Sequence, residues 1–195
     1  GLQALLYVGA LRAGANVADR LGRTTDSERW RERASLTVDA VNRLLWDETA
    51  HAYRDAYLPG QGAVGHISQH TNALAVFFDA APAERLDSAL DILEGGDSAV
   101  VRTDPFYEYF VLTALARHGR QERAVRLLRE LYEPMLASQT GTIWEYWKGK
   151  AVCGSLCHAF SCAMLSVLPN YVLGVEPIED GFDVFRCAPH PSGLS

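Results

Sequence analysis

The chain has 195 residues, 48% of them hydrophobic and 22% charged, enough to bury one sizeable core. Its formal net charge of −6 argues against nucleic acid, whose binding depends on Lys and Arg clustered against phosphates. No apolar run approaches the roughly 20 residues that cross a bilayer, so no membrane partner is expected.

The chain opens in helical pattern without an initiator Met and stops just after a Pro-Ser-Gly turn, and it is read as a piece of a longer protein. Over residues 2–21, Leu2, Leu5, Gly9, Ala13, Val17 and Leu21 recur at helical spacing, and Gly22 ends the run. A second helix is expected over 26–46, with Thr25 and Glu28 as a capping box and an apolar stripe at Trp30, Ala34, Val38, Val41 and Leu45. Its other face is densely charged. Residues 47–55 read as a loop or short hairpin with solvated Glu48 and Asp55, followed by a Gly-rich turn over 59–65.

A third helix, 68–81, carries one formal charge, Asp79. The fourth begins at Pro82 as its first helical residue, buries Leu86, Ala89, Leu90 and Leu93, and ends at Gly95-Gly96. Thr103-Asp104-Pro105 reads as a helix start with Asp104 as the cap, and 106–118 is apolar nearly all round. The sixth helix, 120–137, sets Ala124, Leu127, Leu128 and Leu131 against a charged face, and the seventh, 155–171, has no formal charge.

Odd-numbered helices are therefore charge-poor, and even-numbered ones are amphipathic. An up-and-down bundle would wet one face of every helix, whereas a double ring places odd helices inside and even helices outside. The expected fold is all-α, part of an α/α toroid. A solenoid of helical pairs is the structural competitor, although no fixed-period repeat is present. In a ring, the links over 59–69, 95–107 and 138–158 all reach the same end and converge on one pocket. Inner-helix N-termini direct N–H groups and partial positive charge there.

The last of those links holds the most suggestive residues. Glu145 sits among Trp144, Tyr146 and Trp147, and His158 follows. Ring faces stack on sugar C–H groups while a carboxylate handles protons or hydroxyls. The same residues also suit a buried edge whose acid bonds backbone N–H groups. Cys153, Cys157 and Cys162 crowd near His158, but their spacing does not fit the usual zinc pairs, and they read as small buried hydrophobes, with no metal and no cofactor implied. Cysteine usage without obvious pairs favours a reducing, cytoplasmic compartment.

Three blocks resemble the C-terminal half of the α-L-rhamnosidases of glycoside hydrolase family 78: Thr142-Ile143-Trp144-Glu145-Tyr146-Trp147; Ser155-Leu156-Cys157-His158-Ala159-Phe160-Ser161; and Tyr171-Val172-Leu173-Gly174-Val175-Glu176-Pro177 with Gly181-Phe182. Gln69-His70-Thr71-Asn72-Ala73-Leu74-Ala75 is similar to a further segment. The resemblance implies an (α/α)6 toroid of twelve helices, about seven of them here over 1–174, with 175–195 as the first strands of a truncated C-terminal β-sandwich. It implies an inverting hydrolase that removes terminal α-L-rhamnose, with carbohydrate as the partner. Glu145 matches the general base and His158 a sugar contact; Trp147, Trp144, Tyr107 and Gln69 are candidates for the pocket. The family's general acid matches nothing in the chain and is expected upstream, with Asp104 and Glu108 as substitutes on geometry alone. Two alternatives stay open: another toroid enzyme, such as a phosphorylase, lyase or different glycosidase, and a non-catalytic helical module binding a partner. A phosphorylase would need phosphate donors, and only Lys148, Lys150 and His158 are near.

The missing acid makes a prediction. The 195-residue chain alone should release no nitrophenol from 4-nitrophenyl α-L-rhamnoside, and clear turnover would place an acid within it.

Overall fold

A computed structural model of the chain describes residues 1–148 and 154–194; Lys150 and Cys153 lie outside the described residues. The chain falls into two compact units, Gly1–Arg102 and Thr103–Ser195.

In the first unit α1 (Leu2–Arg20) packs along α2 (Thr24–Leu44), and α3 (Gln69–Phe77) packs along α4 (Ala83–Glu94) and against α1. The link between α1 and α2 is tight: the Gly22 N–H donates to the Asp19 carbonyl at 3.0 Å and the Arg23 N–H to that of Ala18 at 2.8 Å. This double closure requires Gly22 in the left-handed region, at φ 69°. It consumes residues 22 and 23, so α2 starts at Thr24 with Arg23 as its cap residue and no side-chain cap bond. The capping box expected from Thr25 and Glu28 is thus displaced into the helix. Arg23 instead pairs with Asp26 at 2.5 Å.

Residues 46–67 correct the sequence reading more strongly. They form a three-stranded antiparallel sheet, β1 (Trp46–Asp47), β2 (Ala52–Leu58) and β3 (Gly62–Ile67), so half of the expected Gly-rich turn is strand. Asp47 closes the first turn by accepting the Thr49 and Ala50 N–H groups at 2.9 and 3.0 Å. The ladder shifts register between Arg54 and Ala56, a bulge that re-aims the residue inside it. That residue, Asp55, is no solvated charge: its Oδ1 accepts the Ser68 hydroxyl at 2.6 Å and the Thr71 hydroxyl at 2.7 Å. A carboxylate here also complements the positive end of α3. Glu48 reaches Arg85 at 3.2 Å.

The helix α3 is capped by Ser68, whose Oγ accepts the Thr71 N–H at 3.3 Å, and it ends four residues sooner than the 68–81 reading. Buried Asn72 ties it to the sheet. Its Oδ1 accepts the Tyr53 N–H at 3.0 Å, and its amide donates to the Tyr53 and Ser68 carbonyls at 3.0 and 2.8 Å. Tyr53 is itself fully buried, its hydroxyl donates to Asn42 Oδ1 at 2.5 Å, and burial pushes its pKa up to about 12. Pro82 proves to be the N-cap of α4 rather than its first helical residue.

In the second unit α5 (Glu108–Arg117) packs against α6 (Gln121–Leu136) and against α7 (Met164–Val167), so α5, the odd member of its pair, again meets the odd helix that follows. The expected alternation shows in burial only in part: α3 and α5 are buried over most of their length, but α1 buries only Leu5, Val8, Ala15 and Ala18 and α7 only Val167, no more than the charged α2 with Ser27, Ala34 and Val41 or α6 with Ala124, Val125, Leu127, Tyr132 and Met135. The start of α5 lies later than expected. Asp104 offers its main-chain carbonyl to the Glu108 N–H at 3.2 Å while Tyr107 is the cap residue, so Asp104's side chain is not the cap.

The seventh helix departs furthest from the 155–171 reading. Residues 155–163 are irregular apart from a 3-10 turn, Ala159–Ser161, and α7 then runs for one turn before widening into a π turn, Leu168–Val172. Pro169 explains the widening, because it has no N–H to return to the preceding turn. The short strands expected after Gly174 are present as an antiparallel pair, β4 (Val175–Pro177) and β5 (Phe185–Cys187).

Replacing Asn72 with Ala should strand buried backbone groups of Tyr53 and Ser68 and cost about 2–4 kcal/mol. Urea unfolding checks this: the midpoint should fall with its slope unchanged, and a loss under about 1 kcal/mol would mean that Asn72 does not tie the sheet to α3.

Candidate active site

The link between α6 and α7 folds back on itself. The His158 N–H donates to the Ile143 carbonyl at 2.8 Å and the Glu145 N–H to the Ser155 carbonyl at 2.9 Å, and the Thr142 hydroxyl bonds the Leu156 carbonyl. The two arms that carry Glu145 and His158 are therefore stitched side by side. Gly154 makes this approach possible: a Cβ there would lie 2.4 Å from the Tyr146 ring.

Glu145 is half-buried, and its Oε2 accepts the Ser155 N–H at 2.9 Å, which sets the carboxylate's orientation. Half-buried His158 shares a hydrogen bond between Nδ1 and the Ser161 hydroxyl at 2.8 Å, and its ring centroid lies 5.7 Å from that of Phe160, a side chain 75% exposed. Trp144 donates from Nε1 to the Thr140 hydroxyl at 3.2 Å. Trp147 donates from Nε1 to the Thr103 carbonyl at 2.6 Å, and its ring meets Tyr132 edge-on at 5.3 Å. Trp147, Tyr146 and Lys148 line a pocket of about 170 Å3 together with Asp104.

Tyr107 is half-buried beside Phe106 and Phe110, at 5.2 and 5.5 Å between centroids, which makes it part of an aromatic cluster at the head of α5. Gln69 belongs to the other unit and is 1% exposed; its amide donates to the Leu93 carbonyl at 3.0 Å and its N–H to that of Val101 at 2.9 Å. These bonds make it a packing residue that joins α3 to α4. Glu108 is equally buried, accepting the Thr103 hydroxyl at 2.6 Å. Cys157 and Cys187 are exposed and Cys162 half-buried, so Cys157 is not the buried hydrophobe a continuous helix would have made it. Among the described residues, no group of three or more His, Cys, Asp or Glu is arranged to hold a metal ion.

The residue that sequence reasoning missed is Tyr132. Buried on α6, it donates its hydroxyl to the Ser161 carbonyl at 2.9 Å and to the Pro105 carbonyl at 3.3 Å while its ring supports Trp147. Burial first, and the nearby Glu108 carboxylate second, push its pKa up. The available signal was an aromatic with a polar tip on a buried stripe, which seeks a partner inside.

Residues 2–172 match the family model of the bacterial α-L-rhamnosidase six-hairpin glycosidase domain. The chain belongs to this family. The match decides between ring and solenoid in favour of the six-hairpin glycosidase fold. The fold is also similar to that of the glycoside hydrolase family 78 rhamnosidase of Bacillus sp. GL1, with a TM-score of 0.86 and 30% identity over 97% of this chain and 21% of that one. The α-L-rhamnosidase from Dictyoglumus thermophilum gives 0.77 at 18% identity, over 96% of this chain and 21% of that one. A rhamnosidase from Klebsiella oxytoca with rhamnose bound gives 0.69 at 17%, over 87% of this chain and 34% of that one. These two share the fold. The chain thus spans about a fifth of the length of the first two structures. No curated protein matches it. Among the described residues of this six-hairpin glycosidase chain, no helix is long and apolar enough to cross a membrane.

Exchanging Tyr132 for Phe keeps the ring under Trp147 but removes the donor to two carbonyls. Denaturant unfolding should show a loss of about 1–3 kcal/mol, and an unchanged midpoint would mean that the hydroxyl does not join these segments.

Proposed function

We propose that the chain is part of an inverting glycoside hydrolase that removes terminal α-L-rhamnose, with residues 1–174 the C-terminal part of its catalytic domain and 175–195 the start of a β domain. Family membership supports the substrate class. The observation that carries the mechanism is the setting of Glu145, a half-buried carboxylate held by one backbone N–H and flanked by Trp144 and Tyr146.

Glu145 acts as general base. It takes a proton from a water that attacks the anomeric carbon on the face opposite the leaving group. The bond to the leaving oxygen breaks as a second carboxylic acid, supplied by another part of the longer protein, protonates that oxygen. Such acid and base groups stand about 6.5–9.5 Å apart to leave room for the water. His158 hydrogen-bonds sugar hydroxyls through its imidazole, with Ser161 fixing the ring, and Trp147 and Trp144 offer faces to C–H groups of the bound glycoside. Tyr107 borders the same site from the head of α5. Gln69, committed to Leu93, is not assigned a sugar contact.

In the intact protein, Glu145→Gln should lower kcat on aryl α-L-rhamnosides by about 10²- to 10⁴-fold, the usual contribution of a general base, with KM little changed. Azide should restore turnover to Glu145→Gly with inverted product. A Glu145→Gln enzyme with near-normal kcat would make Glu145 a structural acid.

A further inference from the structure

The pocket beside Glu145 has a wall chemistry of its own. Among the described residues it is lined by Asp104, Tyr146, Trp147 and Lys148, around about 170 Å3. Exposed Asp104 presents an acceptor, the Lys148 ammonium a donor, and the two aromatic side chains apolar faces. A carboxylate on the wall disfavours an anion, and a purely apolar ligand would waste both charges. Ring faces combined with an acceptor and a donor suit a neutral, polyhydroxylated ring.

Two of the walls are built as one piece. The Trp147 indole donates to the Thr103 carbonyl at 2.6 Å, the residue immediately before Asp104, and the Tyr132 ring backs the indole at 5.3 Å. Asp104 is held in turn by the bond from the Glu108 N–H to its carbonyl at 3.2 Å and by buried Pro105 after it. The main chain that carries Asp104 and the indole thus keep a set relation, as a binding site requires. Neither Glu145 nor His158 is among the described lining residues, whereas Tyr146 and Trp147, which follow Glu145 directly in the chain, are, so the pocket adjoins the segment that carries the acid without including it.

From this we infer that the pocket binds the leaving group of the glycoside, specifically a sugar ring whose hydroxyls donate to Asp104 while its C–H face rests on Trp147. The inference builds on the rhamnosidase reading above. It makes Asp104 a specificity-determining residue: a hydroxyl-bearing leaving group gains its contact and an aryl one does not.

The test uses the intact protein as wild type, Asp104→Ala and Asp104→Asn, on two substrates. One is 4-nitrophenyl α-L-rhamnoside, whose leaving group has no hydroxyl beyond the departing oxygen; the other is the disaccharide α-L-rhamnosyl-(1→6)-glucose. Losing a hydrogen bond to a charged group weakens binding about tenfold or more. Asp104→Ala should therefore lower kcat/KM on the disaccharide about tenfold, through KM, and leave the nitrophenyl substrate within about twofold. Asp104→Asn, which keeps an acceptor oxygen and the side chain's shape, should recover part of the loss, and it decides the matter should the Ala variant fold poorly. An equal fall on both substrates would make Asp104 a residue of the fold or of the rhamnose site, and an unaffected disaccharide would leave the pocket without this ligand; either overturns the inference and leaves the enzyme assignment standing. A wild type inactive on both substrates removes the rhamnosidase reading and this inference with it.

Discussion

The second unit depends on one buried phenol. Tyr132 stands on α6 yet bonds the Pro105 carbonyl ahead of α5 and the Ser161 carbonyl ahead of α7, and its ring carries Trp147. Three segments distant in sequence meet at this side chain. None of them is α-helix or strand, so each leaves main-chain groups that need partners inside. A hydroxyl in a low-dielectric setting is a strong donor to such carbonyls, and the same burial pushes its pKa up. Remove the phenol from this picture and Trp147 loses its backing, the Asp104 wall loses its relation to the indole, and the turn behind His158 loses its anchor.

The first unit solves a similar problem with different chemistry. A short sheet precedes α3, and a bulge in it aims Asp55 at the helix's hydroxyls while Asn72 reaches back to the strand. Both devices place polar side chains where regular pairing stops. Gln69 belongs to the same set, since its amide serves the Leu93 carbonyl at the C-terminal end of α4. In each unit, then, the residues around the start of a buried helix are polar because they complete the backbone's hydrogen bonds. That role competes with ligand binding for the same residue types, and burial decides between them: Gln69 and Asn72 are closed off, while Glu145, Trp147 and His158 stay partly open.

The glycosidase family assignment rests on the extent of the match, residues 2–172, and gives meaning to the loop between α6 and α7. Glu145 is oriented by a backbone N–H from Ser155, His158 by the Ser161 hydroxyl, and Trp147 by the Thr103 carbonyl. Each of these side chains is thereby held from behind, so little rotamer freedom is left to lose when a sugar arrives.

Much of the fold was legible in the sequence because helices are local. Periodicity marked α1, α2, α4 and α6 to within a few residues, and the scarcity of formal charge in α3 and α5 foretold their burial, since a formal charge seldom tolerates burial without a partner. Residue type and order also nominated Glu145, the tryptophans and His158 as a candidate site. What failed were features set by contacts at a distance. A capping box at Thr25 gave way to the closure of α1 at Gly22, Asp55 looked like a surface charge until the bulge turned it toward Ser68 and Thr71, and an uncharged run over 155–171 looked helical although its first residues pair with 142–145. By itself the sequence determined the positions of most helices, the burial of α3 and α5 and the family, all carried by local pattern and residue identity. Only the tertiary structure decided which polar side chains serve the backbone and which face a pocket, because that choice turns on partners dozens of residues away, as Trp147 and Thr103 illustrate.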